Sequence, residues 1–360
     1  MKIALVHEML TKLGGAERVL KTLADSHSKA PIYTLIQDKN KTDEWFGDKK
    51  IHTSYIQRYF EIIKNPKYLI SHMPKAIEQF NFSNYDVVIS SSSAFAHGIK
   101  TDKKTKHICY CHSPMRYAWD YTHEYTKNYS SLMRFLIAHK LKSIREWDYM
   151  TSDRPDVIIA NSKHVQKRVE KYWRKKSEVI YPPVDTKRFT ARPGHEDYFL
   201  IVSALTPFKR IDLAIRAFNK LGRKLVIIGD GSQKNLLMDM SKHNIEFLGY
   251  KDDAVVRDYM ENCRAFIFPG EEDFGITPVE AMASGKPVLA YGVGGVTESV
   301  QEGVSGEFFD QQTPESIIDG MTKFMLNEKS YDYKKIRRIA ERFDKGVFVE
   351  KMEKVVGDKK

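Results

Sequence analysis

A chain of 360 residues is too long for one ordinary hydrophobic core, so two domains of under about 200 residues each are the prior. With 42% hydrophobic and 29% charged residues the composition is that of a water-soluble globular protein, and no run approaches the roughly 18 apolar residues of a membrane-spanning helix. The formal charge of +11, from 58 basic and 47 acidic residues, favours anionic partners without choosing among nucleic acid, acidic lipid and phosphorylated ligands.

The N-terminal "MKIALVHEML" has too few apolar residues before His7 and Glu8 for a signal-peptide core and reads as a buried first strand, Ile3–Val6. Further strands are predicted at Asp86–Ser90, His107–Cys111, Val157–Ala160, Phe199–Ser203, Leu225–Ile228 and Ala265–Phe268. Nearly all lack polar alternation, as parallel strands covered by helices on both faces should, and longer amphipathic runs separate them. "YDVVISSSSAFAHG" and "PDVIIANSKHVQ" echo each other, placing Ser90, Ser91, Asn161 and Ser162 at strand carboxyl ends, where open α/β sheets bind ligands. Helix capping by Asn161 and Ser162 accounts for that pair equally well. The charged run "KTDKKTKH", Lys100 to His107, reads as a solvated loop. Cys109, Cys111 and Cys263 are odd in number and lie in apolar runs, which fits a reducing compartment, so a cytoplasmic location is expected.

"SLMRFLIAHKLKSIREWDYM", Ser131 to Met150, is an amphipathic helix carrying Arg134, His139, Lys140, Lys142 and Arg145 among Leu132, Phe135, Leu136, Leu141 and Ile144. Packing against a core is its simpler reading. The other is an interfacial surface at an anionic membrane, which would make the protein peripheral at the inner face of the plasma membrane. Pro182 and Pro183 in "VIYPPVDTKRF" mark a boundary. The domains expected are residues 1–180 and 186–340 with a linker at 181–185, followed by a helical tail at 341–360 that packs back on the first domain.

Five segments carry candidate chemistry. In "HEMLTKLGGAERVL", Gly14 and Gly15 let backbone approach a ligand at a helix start, although a plain turn needs the same residues. "CYCHSPMRYAWD" follows a strand with a polar and aromatic loop in which His112 is either a donor to a substrate hydroxyl or phosphate or a structural histidine; further ligands for a metal are missing. "VSALTPFKRIDLAIRAF" puts Lys209 and Arg210 at a helix start, against the dipole, a local cost that an anion would offset. "LVIIGDGSQ" ends a strand with Gly229 and Gly231, which suit either a close ligand or an ordinary turn. "GEEDFGITPVEAMASGKPVLA" holds Glu272 before and Glu280 inside a helix opened by Gly275, Ile276 and Thr277, so two carboxylates flank the amides that would face an anion. Paired acids also serve glycoside hydrolysis, but those acids usually come from separate elements. Carboxylates that accept from vicinal hydroxyls fit better.

With these motifs the sequence resembles the family-4 retaining glycosyltransferases over almost its whole length. The likeness rests on the Glu-x7-Glu pattern "EDFGITPVE" with the following Gly-Lys-Pro-Val, and on "GGVTESV", "IGDGS", "YPPVDTKRF" and the N-terminal Gly-Gly. "YCHSPMRYAWD" and "PFKRIDLAIRAF" are similar to polysaccharide and O-antigen mannosyltransferases. The resemblance implies the GT-B fold, two Rossmann-like βαβ domains with a nucleotide sugar in the cleft they face. It implies that Glu280 holds the ribose, Glu272 the donor-sugar hydroxyls, and that Phe274, Gly275, Ile276 and Thr277 contact sugar and phosphate. Lys209 would neutralise the diphosphate, Gly14 and Gly15 would approach it, and His112 would sit by the sugar, leaving His112, Lys209, Arg210 and Glu272 as the catalytic set. Where the family usually has an arginine five residues before that lysine, this chain has Ala204, so that either Arg210 takes over or phosphate binding is weaker.

The activity implied by the resemblance is transfer of a hexose, mannose from GDP-mannose first, to a glycan or lipid-linked acceptor of cell-surface polysaccharide, with neither cofactor nor metal. The alternatives are a UDP-sugar donor and a GT-B phosphorylase or epimerase. A nucleic-acid binder is not expected, since no aromatic-interleaved basic patch or reading helix is present.

Overall fold

The computed structural model describes residues 1–120 and 130–358, apart from the side chain of Leu132. The chain divides into two compact units, Met1–Pro183 with Phe348–Lys360, and Val184–Val347.

In the first unit, seven strands form one parallel sheet: β1 (Ile3–Leu10), β2 (Ile32–Gln37), β3 (Ile51–Thr53), β4 (Val87–Ser92), β5 (Lys106–Cys111), β6 (Val157–Ala160) and β7 (Glu178–Val179), in the order β3-β2-β1-β4-β5-β6-β7. The second unit holds six parallel strands: β8 (Phe199–Val202), β9 (Leu225–Ile228), β10 (Ile245–Gly249), β11 (Ala265–Phe268), β12 (Val288–Tyr291) and β13 (Gly306–Phe309), in the order β10-β9-β8-β11-β12-β13. Both orders reverse direction once, between β1 and β4 and between β8 and β11. Ligands of such sheets bind at the carboxyl ends of the strands that flank the reversal. All the strands predicted from apolar runs are present, and those runs are buried because helices cover both faces. The strands outside that prediction are short or carry polar residues, such as "IHT" for β3 and "GEFF" for β13.

On one face of the first sheet, Ala4, Val6 and Val88 pack beneath Phe60, Met73, Ile77, Leu141 and Ile144 of covering helices. On the other, Leu5, Ile89, Ile108 and Tyr110 meet the helix Gly15–Ser26 and the C-terminal helix Lys345–Gly357. Two helices follow Ser330, the second of them within the expected tail. Tyr333–Glu341 closes the second unit, and the next returns to the first through Phe348, Met352, Val355 and Val356. Each such side chain, once buried, contributes about 1.5–3 kcal/mol. The last two residues of the expected tail, 359 and 360, lie outside the described residues.

Lys106 Nζ donates to the carbonyls of Val355 (2.6 Å) and Asp358 (2.8 Å), a cation closing that helix where its free carbonyls gather. The run Lys100 to His107 is thus not a wholly solvated loop: Thr105, Lys106 and His107 are buried at the start of β5. His107 Nε2 lies 2.8 Å from Ser90 Oγ, and burial holds the pKa of this imidazole down to about 3. A depressed histidine makes the unfolded chain bind more protons, so stability is lost as pH falls below the ordinary histidine value of 6.5. Urea unfolding should show His107 removing about 1.4 kcal/mol per pH unit below that point, with a shallower slope in His107→Gln.

The helix Ser131–Thr151 settles neither reading alone. Ile137, Leu141, Ile144 and Trp147 join the core, while Phe135 is 70% exposed and Leu136 49%. Burial of Leu132 lies outside the described residues. Arg145 is not a membrane-facing cation, because its Nη1 donates to the carbonyl of Ala118 at 2.9 Å. All three cysteines are buried thiols, with Cys109 and Cys263 pushed up to about 12 by burial.

Candidate functional site

In the second unit Lys209 and the predicted residues from Glu272 to Glu280 gather at the carboxyl ends of β8 and β11, the strands flanking the reversal. Lys209, ending the turn Pro207–Lys209 after β8, forms an ion pair with Glu272, in the loop after β11. The loops meet closely because Gly270 has no side chain: a Cβ there would stand 2.9 Å from Lys209 Cα. Glu272 is fixed from the other side by Gly295 N–H, which donates to its carbonyl at 2.9 Å. A Cβ at Gly294 (φ +90°) would come within 2.5 Å of that same carbonyl oxygen. The glycines of "GGVTESV" are therefore present for close backbone packing.

Gly275 has φ +89° and turns the chain into the helix Ile276–Ala283, whose N-terminus has no side-chain cap. Its first-turn amides suit an anion beside the Lys209–Glu272 pair. Ile276 and Thr277 are half-buried, and Phe274 is packed edge-on to Phe343 at 5.4 Å, so only its backbone can serve a ligand. Glu280, in the second turn, is 3% exposed, and Arg188 Nη2 lies 3.8 Å from its Oε1 while Arg188 Nη1 donates to Asp253 at 2.6 Å. Arg188 is not among the residues predicted for the site. Its signal in the sequence is the "VDTKRF" motif, which marks the family without giving the arginine a role.

Arg210 does not join Lys209: it adopts the left-handed conformation (φ +51°) between the turn and the helix Ile211–Leu221, so the two adjacent side chains diverge. Its Nη1 donates to Gln312 (3.0 Å) and its Nε to Asp212 (3.3 Å). Gly229 and Gly231 do not line open space either. A Cβ would stand 1.9 Å from the carbonyl oxygen of Ser203 at the first, and 2.4 Å from that of Leu205 at the second. The two strand-end loops lie back to back, with Leu205 N–H donating to Asp230 at 2.9 Å. Lys286 of "GKPV" is buried and donates to Gly194 at 2.6 Å, a structural tie.

In the first unit, the carboxyl ends of β1, β4 and β5 converge. Gly14 caps the helix Gly15–Ser26 with extended backbone, and a Cβ there would meet a Glu17 carboxylate oxygen at 3.1 Å. His112, just beyond β5, has Nε2 2.8 Å from Ser91 Oγ on β4. Ser91 Oγ is also 3.2 Å from His7 Nδ1 on β1, and His7 Nε2 is 3.6 Å from Glu17. The loop after His112 is held from behind: Trp119 Nε1 donates to buried Asp148 at 2.7 Å and Arg168 pairs with Asp120 at 2.6 Å. Ser162 caps the helix Lys163–Trp173 through Val165 N–H, so at that strand end the capping reading holds.

Residues 13–188 match the model described as glycosyltransferase family 4, and residues 185–342 the model described as glycosyl transferases group 1. An uncharacterised glycosyltransferase of Methanocaldococcus jannaschii is 29% identical over 54% of this chain and 56% of its own length. The match thus spans about half the length of that relative. An alpha-1,3/1,6-mannosyltransferase of Dictyostelium discoideum is 23% identical over 99% of this chain and 98% of its own. Among solved structures, Anabaena HepE in complex with UDP superimposes with a TM-score of 0.74 at 18% identity, over 99% of both chains. Together with the two Rossmann-like sheets, this is the GT-B fold.

Proposed function

We infer that this chain, a family-4 type sequence in which two glycosyltransferase models together match residues 13–342, transfers a hexose with retention from a nucleotide-diphosphate sugar to a glycan or lipid-linked acceptor. The observation that carries this reading is the Lys209–Glu272 pair beside an uncapped helix N-terminus, with buried Glu280 a turn further in. Lys209 and the amides oppose the charge that grows on the departing diphosphate, which is where preorganised dipoles contribute most. Glu272 accepts from sugar hydroxyls and Glu280 from ribose hydroxyls. Mannose, and with it GDP-mannose, is favoured by the Dictyostelium relative, whose name is that of a mannosyltransferase. UDP-sugars are the second reading, since the Anabaena protein was solved with UDP. With Lys209 as the counter-charge, turnover should persist in EDTA.

A thermal-shift panel of GDP, UDP, ADP and their sugars tests the reading, because a ligand at 100 times its dissociation constant stabilises by about 2.7 kcal/mol. No shift with any nucleotide would sink it. In calorimetry with the nucleotide that binds, Glu280→Gln should weaken affinity by about 1.5–3 kcal/mol through loss of a charged acceptor. Glu272→Gln should leave that affinity nearly intact and lower turnover; equal losses in both variants would refute the division of roles.

We further propose a peripheral contact with anionic membrane. No helix among the described residues is long and apolar enough to cross a bilayer. Exposed Met133, Phe135 and Leu136 stand beside the exposed cations Arg134, Lys140 and Lys142, and a second segment of this unit exposes Tyr59, Ile62 (82%) and Tyr68 (73%) near Arg58, Lys64 and Lys67. Apolar groups flanked by cations match an acidic headgroup layer, each cation adding about 1 kcal/mol. Replacing Arg134, Lys140 and Lys142 by glutamine should reduce sedimentation with phosphatidylserine-containing vesicles without lowering Tm. Unchanged sedimentation would refute the contact.

A further inference from the structure

The segment that carries Arg188 is tied down so that its guanidinium lies between two helices. Thr186–Arg188 forms one short turn, and Arg337, on the helix Tyr333–Glu341, clamps the backbone around it. Arg337 Nη1 donates to the carbonyls of Phe189 (2.7 Å) and Ala283 (2.8 Å), and Nη2 to that of Thr186 (3.3 Å). Ala283 is the last residue of the helix Ile276–Ala283, which carries Glu280. The backbone on both sides of Arg188 is thus anchored to the Glu280 helix. Thr190 N–H adds a tie to Glu261 (2.8 Å) on the neighbouring helix Asp253–Asn262.

The Arg188 guanidinium lies over the ring of Phe189, 4.8 Å from its centroid, and serves two carboxylates unequally. Asp253 accepts from Nη1 at 2.6 Å, but its side chain is 60% exposed, so water screens that attraction. Glu280 is buried, and Nη2 stands 3.8 Å from its Oε1. A buried carboxylate gains far more from a nearby cation than an exposed one, because little water competes. At that distance Arg188 offsets the charge of Glu280 without donating a hydrogen bond to Oε1. Arg188 Nε and Nη2 are themselves buried and have no hydrogen-bond partner among the described residues. Packing alone gives no reason to bury such donors, since an apolar side chain would fill the space without them.

We propose that Arg188 is a positioning residue for nucleotide recognition: it offsets the charge of buried Glu280 and fixes that carboxylate where it accepts from the ribose hydroxyls. The role rests on the assignment of Glu280 to the ribose. Arg188 itself does not touch the nucleotide, because the nitrogen facing Glu280 is buried. Without the arginine, Glu280 is a buried carboxylate that has lost its balancing cation, and the ribose contact is lost with it. Ribose hydroxyls take no part in the transfer, so their contacts act alike in the ground and transition states. The arginine therefore governs nucleotide affinity and KM rather than kcat.

Calorimetry with GDP, UDP and their 2′,3′-dideoxy analogues tests this in the parent and in Arg188→Met. The parent should bind its nucleotide at least about tenfold more tightly than the dideoxy analogue, the difference being the hydroxyls that Glu280 holds. Arg188→Met should bring that ratio to within about threefold, leaving the affinity for the dideoxy analogue and kcat at saturating donor nearly unchanged. Arg188→Lys keeps a cation and should retain most of the ratio. In a Glu280→Gln background, Arg188→Met should have little further effect on nucleotide affinity. A ratio in Arg188→Met equal to the parent's, or full additivity with Glu280→Gln, overturns the proposal and leaves the Glu280 assignment standing. A parent that does not distinguish the nucleotide from its dideoxy analogue overturns both. Should Arg188→Met fail to fold, Arg188→Gln, neutral yet able to donate to Asp253, decides the same question.

Discussion

Lys209→Met is expected to lower kcat by about 100-fold, roughly 2.7 kcal/mol, as removal of one preorganised counter-charge from a developing anion generally does. Lys209 is the cation that the strand order delivers to the β8–β11 reversal, and its partner there is a carboxylate. Removing it alone leaves Glu272 facing the diphosphate, so nucleotide affinity should fall as well. The double variant Lys209→Met with Glu272→Gln should recover affinity but not turnover, because the transition-state charge still lacks its partner. Steady-state kinetics with calorimetry separate the two effects. Turnover within about a factor of ten of the parent would remove Lys209 from the mechanism. Arg210→Ala should cost much less, since that guanidinium is engaged with Gln312 and Asp212.

Glu8→Ala is expected to destabilise the first unit by about 3 kcal/mol, because two buried donors and two part-buried ones would lose their acceptor, at about 1–3 kcal/mol for each buried donor left unsatisfied. One oxygen of this buried carboxylate accepts from Ser92 Oγ (3.0 Å) and from the N–H groups of Ser93 (2.8 Å), Ala94 (2.8 Å) and Ala96 (3.1 Å). It closes the β4 carboxyl end, next to Ser91, so the effect should spread to turnover at temperatures well below the parent's Tm. Glu8→Gln keeps an acceptor oxygen and should cost less. Denaturant unfolding checks both; a loss under about 1 kcal/mol for Glu8→Ala would show that water replaces the carboxylate.

Much of the architecture is readable along the chain. Buried parallel strands are recognisable as continuous apolar runs, because a strand covered on both faces has no polar side to show. β9 "LVII" and β11 "AFIF" are of this kind. A strand with Tyr33, Thr34 and Gln37, or a four-residue edge such as β13, presents no such run and becomes a strand only through its neighbour's ladder. The acid pair Glu272 and Glu280 stands out in the sequence likewise, since local spacing around a helix start already sets carboxylates beside free amides, whereas the meeting of Lys209 with Glu272 is a tertiary contact.

What adjacent residues do with that placement was decided in three dimensions. Lys209 and Arg210 look equivalent in sequence, yet a left-handed turn at Arg210 sends one to Glu272 and the other to Gln312. Gly229 and Gly231 look like ligand glycines, and their missing side chains are taken up by the neighbouring loop. Lys106 and His107 look solvated, and the returning C-terminal helix and β4 enclose them. The sequence by itself determined the two α/β units and the residue types of the site, because helix and strand periodicity and a helix's free amides are local properties. Tertiary structure alone decided which polar groups became partners, and it brought Glu17, His7, Ser91 and His112 into one chain, because hydrogen bonds across parallel strands depend on register between segments up to about a hundred positions apart, which no local pattern encodes.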